Sequence, residues 1–175
     1  HCVTRRQRQM CIRDRSNIMQ LRLARNKDGN QIINLIKRCF KDYKNCYLDV
    51  DNDSPELRDV YSYFKNKKGK FWVYVDKNKI IGCMGYLPHE KNNLEIHKLY
   101  IDKNYRMKGL AKKLMLRIES IAKKYKKRKI VLWTDTRFKE AHKMYKKLNY
   151  KKMSKTRKLN DISNTTEYAF QKVIN

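Results

Sequence analysis

Leu94-Glu-Ile-His-Lys-Leu-Tyr-Ile-Asp-Lys-Asn-Tyr-Arg-Met-Lys-Gly-Leu-Ala-Lys-Lys113 changes character halfway along. The first half is dense in branched and aromatic residues (Ile96, Leu99, Tyr100, Ile101), which predicts a β-strand. The second half opens a helix, because Leu110, Leu114, Ile118, Ile121 and Tyr125 recur at helical spacing. Arg106-Met-Lys-Gly-Leu-Ala111 forms the junction, with Lys112 and Lys113 just beyond it. A helix N-terminus leaves its first N–H groups unpaired and carries partial positive charge, so it can hold an anion. Gly109 has no Cβ to keep a phosphate away from the backbone. These residues predict a phosphate-bearing ligand at the turn, with an ordinary tight turn as the plain alternative. The stretch is neither a Walker A loop nor G-x-G-x-x-G.

Arg106-x-x-Gly-x-Ala111 after Leu99-Tyr-Ile101 resembles the acetyl-CoA signature of the GNAT superfamily of N-acetyltransferases. Further on, Ala141-His-Lys-Met-Tyr-Lys-Lys-Leu-Asn-Tyr150 is similar to that family's second signature, Ala-x-x-x-Tyr-x-x-x-Gly-Phe. Two signatures in order are more specific than either alone, and the resemblance runs from Met19 onward. It implies an enzyme, an acyltransferase that uses acetyl-CoA as donor. Gly109, Leu110, Ala111 and Lys112 would then offer backbone amides to the pyrophosphate. Arg106 and Lys108, either side of Met107, would supply charge, and Leu99 and Ile101 would pair with the pantetheine arm.

The rest of the chain predicts a single domain over residues 19–175. Residues 1–16 are rich in arginine, lack any period, and contain Met10-Cys-Ile-Arg-Asp14, which resembles translated adapter DNA. They are expected to be a disordered, non-native scar preceding a start at Met19, with a basic nucleic-acid arm as the rival reading. A short strand over Met19–Ala24 is expected, then a helix marked by Ile32, Ile36, Cys39 and Phe40, with Asp28 as its N-cap. Ser54-Pro55 predicts a second helix carrying Leu57, Val60, Tyr61 and Phe64. A hairpin over Phe71–Val75 and Lys79–Leu87 leads to the central strand. After the central helix come a strand over Lys129–Thr134, a helix over Phe138–Leu148 and a closing strand over Thr165–Val173. This order predicts a mixed α/β fold, α+β-like, not a βαβ alternation. The resemblance adds a mostly antiparallel sheet of six to seven strands, flanking helices, and a cofactor cleft where the central strand and Lys129–Thr134 splay apart.

The formal charge is +27, a bias that favours polyanions whatever the fold. Because Lys, Asn, Ile and Tyr are all abundant, part of it reflects base composition. No apolar run is long enough to span a membrane, so no membrane partner is expected. Cys39, Cys46 and Cys83 form no C-x-x-C pair, which fits reduced thiols in the cytoplasm. The histidines show no metal-ligand spacing, and no metal is expected.

Acetyl transfer to an amine needs a base for the amine, polarisation of the carbonyl, and a proton for the departing thiolate. Glu95 is the candidate base, at a position where some family members carry a glutamate. Strand alternation would put Glu95, His97, Leu99 and Ile101 on one face. His97 is a second candidate base. Tyr145, at the family's tyrosine position, is the candidate acid. Phe138 stands where many members have asparagine. Asp135 and Arg137 either shape the acceptor side or pair with each other. The acceptor is expected to be a small primary amine drawn in by Asp49 or Asp51 on the loop before Ser54, against the prevailing charge. The rival expectations are an RNA- or ribosome-directed acetyltransferase and a basic nucleic-acid-binding module without catalysis.

Overall fold

The computed structural model describes residues 19–175, so the expectations for residues 1–16 lie outside it. Seven strands form one sheet: β1 (Gln20–Leu23), β2 (Lys70–Asp76), β3 (Lys79–His89), β4 (Asn93–Ile101), β5 (Lys129–Asp135), β6 (Lys151–Lys158) and β7 (Thr166–Val173). Their order is β1-β2-β3-β4-β5-β7-β6, antiparallel throughout except for β4 against β5. The helices are α1 (Gly29–Phe40), the single turn α2 (Val50–Asp53), α3 (Val60–Asn66), α4 (Leu110–Lys124) and α5 (Lys139–Lys147). The fold is the mixed α/β architecture expected.

Each sheet face carries its own core. On one face Leu110, Leu114, Met115, Ile118 and Ala122 of α4 pack on Leu94, Ile96, Ile130, Leu132 and Phe170. On the other, Ile32, Leu35 and Ile36 of α1 and Val60 and Phe64 of α3 pack on Phe71, Val73, Ile80 and Cys83. Phe64 comes so close to β3 that a Cβ on Gly85 would lie 2.6 Å from its ring. Only glycine fits there.

Two local expectations are corrected. Asp28 precedes α1, but its carboxylate does not cap that helix. It accepts from the Arg22 guanidinium at 2.7 and 3.0 Å and from the Arg25 N–H at 2.7 Å. Ser54-Pro55 opens a 3₁₀ turn (Pro55–Asp59) that runs into α3, and the Ser54 hydroxyl accepts from Lys98 instead of capping. β6 went unread as a strand because Lys151–Lys158 has no apolar alternation and lies almost wholly exposed.

A bulge in β4 and an early parting of β4 from β5 shape the centre of the molecule. Gly85 stands opposite His97 and Cys83 opposite Tyr100, so Lys98 and Leu99 together face one residue of β3. Lys98 absorbs the extra residue with φ 55°. Alternation therefore slips by one, and the predicted shared face is corrected. Leu94, Ile96, Leu99 and Ile101 all join the α4 core, while His97 lies against Phe64 on the opposite side. The parallel ladder holds only over Leu94–Ile96 against Ile130–Leu132. Beyond Ile96, β4 has no partner on its β5 side among the described residues, and a cleft opens.

Candidate active site

Two cavities meet in this cleft. The first, about 410 Å³, is lined by Leu99, Tyr100 and Ile101 of β4, the turn before α4, and the inner face of α5. The second, about 160 Å³, lies between Asp53-Ser54, Lys98, the end of β5 and residues 159–167. Leu99, Tyr100, Phe138 and Tyr145 line both, so they mark the junction.

The turn explains the first cavity's polarity. Gly109 has φ +76°, a left-handed conformation that resists side chains, and a Cβ there would meet nothing within 4 Å. The space in front of it is open. Lys113 N–H is bonded to the Gly109 carbonyl at 3.0 Å, so the amides of Leu110, Ala111 and Lys112 precede the first intrahelical bond. Arg106, Met107, Gly109, Leu110, Ala111 and Lys112 all line this cavity. Lys108 does not, and its Nζ sits over the Tyr105 ring at 5.3 Å. Arg106 is braced, donating from Nε to the Ile101 carbonyl (3.0 Å) and from its terminal nitrogen to Asp42 (3.2 Å). The Ile101 carbonyl also accepts from the Cys39 thiol.

At the junction, Phe138 packs among Phe40, Tyr43 and Tyr100, with ring centroids 4.8–6.3 Å away. An apolar wall therefore stands where many family members have asparagine. Tyr145 is 5% exposed. Burial alone pushes its phenol well above the ordinary range, so it is protonated at neutral pH.

Glu95 and His97 line neither cavity. The Glu95 carboxylate lies 3.3 Å from His89 Nδ1 and 3.6 Å from His97 Nε2. Burial acts to raise its pKa, but His97, His89 and Arg157 outweigh that and hold it below the usual range. Asp49 accepts from the Asn52 backbone and side chain, and Asp51 pairs with Arg58 at 2.7 Å. Neither lines the second cavity.

The carboxylates that do line it are Asp53, Asp135, Asp161 and Glu167; Asp53 belongs to the same acidic loop as Asp49 and Asp51, whereas Asp161 and Glu167 were not expected from the sequence. Asp161 and Glu167 lie more than a hundred residues from Asp53, and no local pattern signals that meeting. Asp135 and Arg137 do pair, at 3.5 Å. Arg137 also donates to the carbonyls of Asn45 (2.8 Å) and Ser163 (2.5 Å), tying together two loops that wall the cavity.

Similarity to known proteins agrees with this geometry. Probable N-acetyltransferase 14 of Xenopus tropicalis is 34% identical over 100 residues, 56% of this chain and 48% of that protein. N-acetylaspartate synthetase of Xenopus tropicalis is 33% identical over 117 residues, 66% of this chain and 41% of that protein. The chain thus spans about half, or less, of the length of these relatives. A GNAT-family acetyltransferase from Staphylococcus aureus Mu50 superposes with a TM-score of 0.77 at 21% identity, covering 90% of this chain and 100% of that one. A putative acetyltransferase from Salmonella typhimurium, solved with its cofactor acetyl-CoA, gives 0.69 at 14% identity, covering 91% and 95%. At those identities the likeness is one of fold. The model of the acetyltransferase (GNAT) family matches residues 31–150. That span holds the bulged strand, the glycine turn and the helix bearing Tyr145, and the chain belongs to the acetyltransferase (GNAT) family.

Proposed function

We infer that this chain transfers the acetyl group of acetyl-CoA to a primary amine of a small molecule. The observation that carries this reading is the pair of abutting cavities with four shared lining residues. The first suits the donor. Its open glycine turn and free amides fit a pyrophosphate, and the unpaired edge of β4 at Leu99 fits an amide-bearing arm. The second suits an amine, since Asp53 and Asp161 line it without an arginine partner. Asp135 and Glu167 are paired with Arg137 and Arg157, and Lys98 is the lysine on the same wall.

In the reaction an ammonium loses a proton, and its nitrogen attacks the thioester carbonyl. The C–N bond forms as the C–S bond breaks, and the thiolate takes a proton. Tyr145 is the proton donor in this reading, supported by its protonated, buried phenol at the junction. Glu95, with His97 beside it, acts as base at one remove, through water, because its carboxylate lines neither cavity. Arg106 steadies the turn and adds charge.

Several relatives, from frog, fish and mammals, are named N-acetylaspartate synthetase, and Lys98 in the second cavity is the kind of group that would meet such an acceptor's carboxylates. Lys98 is already engaged by Ser54 and Glu56, and the unpaired Asp53 and Asp161 favour a cation instead. The test is thiol release from acetyl-CoA across a panel of primary amines, with RNA as a comparison substrate. Turnover on a small amine supports the reading. Faster turnover on RNA would favour a nucleic-acid-directed enzyme, and no turnover with either would overturn it.

A further inference from the structure

Lys98, at the β4 bulge, is the one non-glycine residue inside a described strand that holds a left-handed φ, 55°. The other residues of that kind lie in turns and loops. Side chains disfavour this region, and glycine would sit there without strain. The lysine is held at both ends. Its carbonyl accepts from the Cys83 thiol at 3.2 Å. Its ammonium donates to Ser54 Oγ at 2.5 Å and lies 3.7 Å from Glu56.

Residues 53–56 cover the end of α2 and the start of the 3₁₀ turn Pro55–Asp59, whose Leu57 is buried in the core between α1 and α3. Among the described residues, Lys98 makes the only hydrogen bond and the only ion pair between β4 and this segment. Ser54 is 1% exposed, and its hydroxyl caps no helix. Asp53, Ser54 and Lys98 line the second cavity and none of them lines the first. Leu99, the next residue along β4, lines both. The tie therefore runs from the junction of the two cavities to the Asp53-Ser54 wall of the second.

We propose that Lys98 is a positioning residue. By tying the bulge to Ser54 and Glu56, it fixes the wall of the second cavity against the unpaired β4 edge and so sets where the acceptor nitrogen stands relative to the thioester. The proposal rests on the acetyltransferase reading above and deepens it. Stability alone would favour glycine or asparagine at φ 55°. Strain of this kind persists where the surroundings enforce it, and it gathers at sites that need a fixed geometry. A displacement of about 1 Å at a reacting centre can cost about a hundredfold in rate, so a wall free to swing is felt in turnover more than in folding. Donor binding is spared, because the tie lies outside the first cavity.

The experiment compares Lys98→Met, Lys98→Gly and Lys98→Arg with the wild-type protein. It measures thiol release with the fastest amine of the panel, acetyl-CoA binding by calorimetry, urea unfolding, and amide hydrogen exchange over residues 50–57. Lys98→Met should lower kcat/KM for the amine about tenfold or more, mostly through kcat, and keep the acetyl-CoA Kd within about twofold. It should also speed exchange over residues 50–57. Lys98→Gly removes the strain along with the tie, so it should resist urea better than Lys98→Met and yet turn over as slowly. Lys98→Arg, which keeps the charge and can reach the same oxygens, should recover most of the rate. Wild-type turnover in Lys98→Gly, or acetyl-CoA affinity that falls in step with turnover in Lys98→Met, would overturn the positioning role and leave the acetyltransferase reading intact. If the wild-type protein turns over no amine, that reading falls on its own. Faster exchange in Lys98→Met with acetyl-CoA affinity retained would then still support the tie, and unchanged exchange would overturn it in either case.

Discussion

Tyr145 and Glu95 are both withdrawn from water, yet burial acts on them with different outcomes. The phenol has no polar neighbour to oppose burial, so its proton is held more tightly than in water. Tyr145→Phe should cut turnover on the preferred amine by about a hundredfold while acetyl-CoA affinity changes little, the size expected for loss of a positioned acid. Equal loss in both would make the hydroxyl a binding group. Around Glu95 the imidazoles of His97 and His89 outweigh desolvation, so the carboxylate stays ionised below the usual carboxylate range. Glu95→Gln should therefore lower kcat about a hundredfold near neutrality, with smaller loss at high pH, where the amine sheds its own proton. Wild-type rates at every pH would remove Glu95 from the proton path. Asp28 is a structural counterpart. Burial opposes its ionisation, but the Arg22 pair and the Arg25 N–H prevail and lower its pKa. A depressed carboxylate stabilises the fold above its unfolded pKa and loses that contribution as pH falls through the folded one. Asp28→Asn should cost about 1.5–3 kcal/mol at pH 7, and the gap from wild type should narrow in acid urea titrations.

The turn between β4 and α4 tests whether backbone shape alone can be read as function. Gly109 combines φ +76° with empty space at its missing Cβ, so Gly109→Ala pays for conformation and not for a clash. A loss of about 1–2 kcal/mol is expected in urea unfolding. Asparagine tolerates this region better, so Gly109→Asn should lose less. Gly109→Glu should abolish the thermal shift produced by acetyl-CoA, because it sets a negative side chain where the phosphates would lie. An unaltered shift would take the turn out of the donor site. This element was legible because glycine, the helical spacing after it and the flanking basic residues all fall within a few positions. The β4 bulge was not. A slip of one residue leaves the composition of Leu94–Ile101 unchanged, and the extra residue is Lys98, which carries no turn signal. The slip nevertheless decides which side chains meet: it puts Leu99 with the α4 core and leaves Glu95 and His97 outside both cavities. Asp49 and Asp51 drew attention as acids in a basic chain, but α2 and Arg58 engage them. Their neighbour Asp53 reaches the cavity because the chain returns to it at Asp161, a tertiary event without a local signature.

Over the whole molecule the charge is both an aid and an obstacle. The formal +27 includes the five arginines and one aspartate of residues 1–16, which leaves most of the excess on the folded part. A donor rich in phosphates gains from that field, and a cationic acceptor of the kind proposed would be repelled until it reached the carboxylates of the second cavity. Screening distinguishes the general field from the local site, since the Debye length is about 8 Å at physiological ionic strength. Lys112, in the first turn of α4, lines the first cavity, the one proposed for the donor. Lys151, Lys155 and Lys158 lie on the exposed edge strand β6, at the far end of the sheet order from β4. Such lysines also discourage another chain from pairing with that edge. Lys112→Gln should weaken acetyl-CoA binding severalfold at 0.15 M salt, and the effect should shrink toward 0.5 M. The triple change Lys151→Gln, Lys155→Gln and Lys158→Gln removes three times the charge, yet it should alter that affinity less than twofold, while raising the tendency to self-associate in sedimentation velocity. If the triple variant weakened acetyl-CoA as much as Lys112→Gln, the donor would be responding to net charge and not to the turn. The same titration run with the acceptor should go the other way at a distance: modest salt should speed the approach of a cationic amine by screening the surface lysines, before higher salt weakens its hold on the carboxylates.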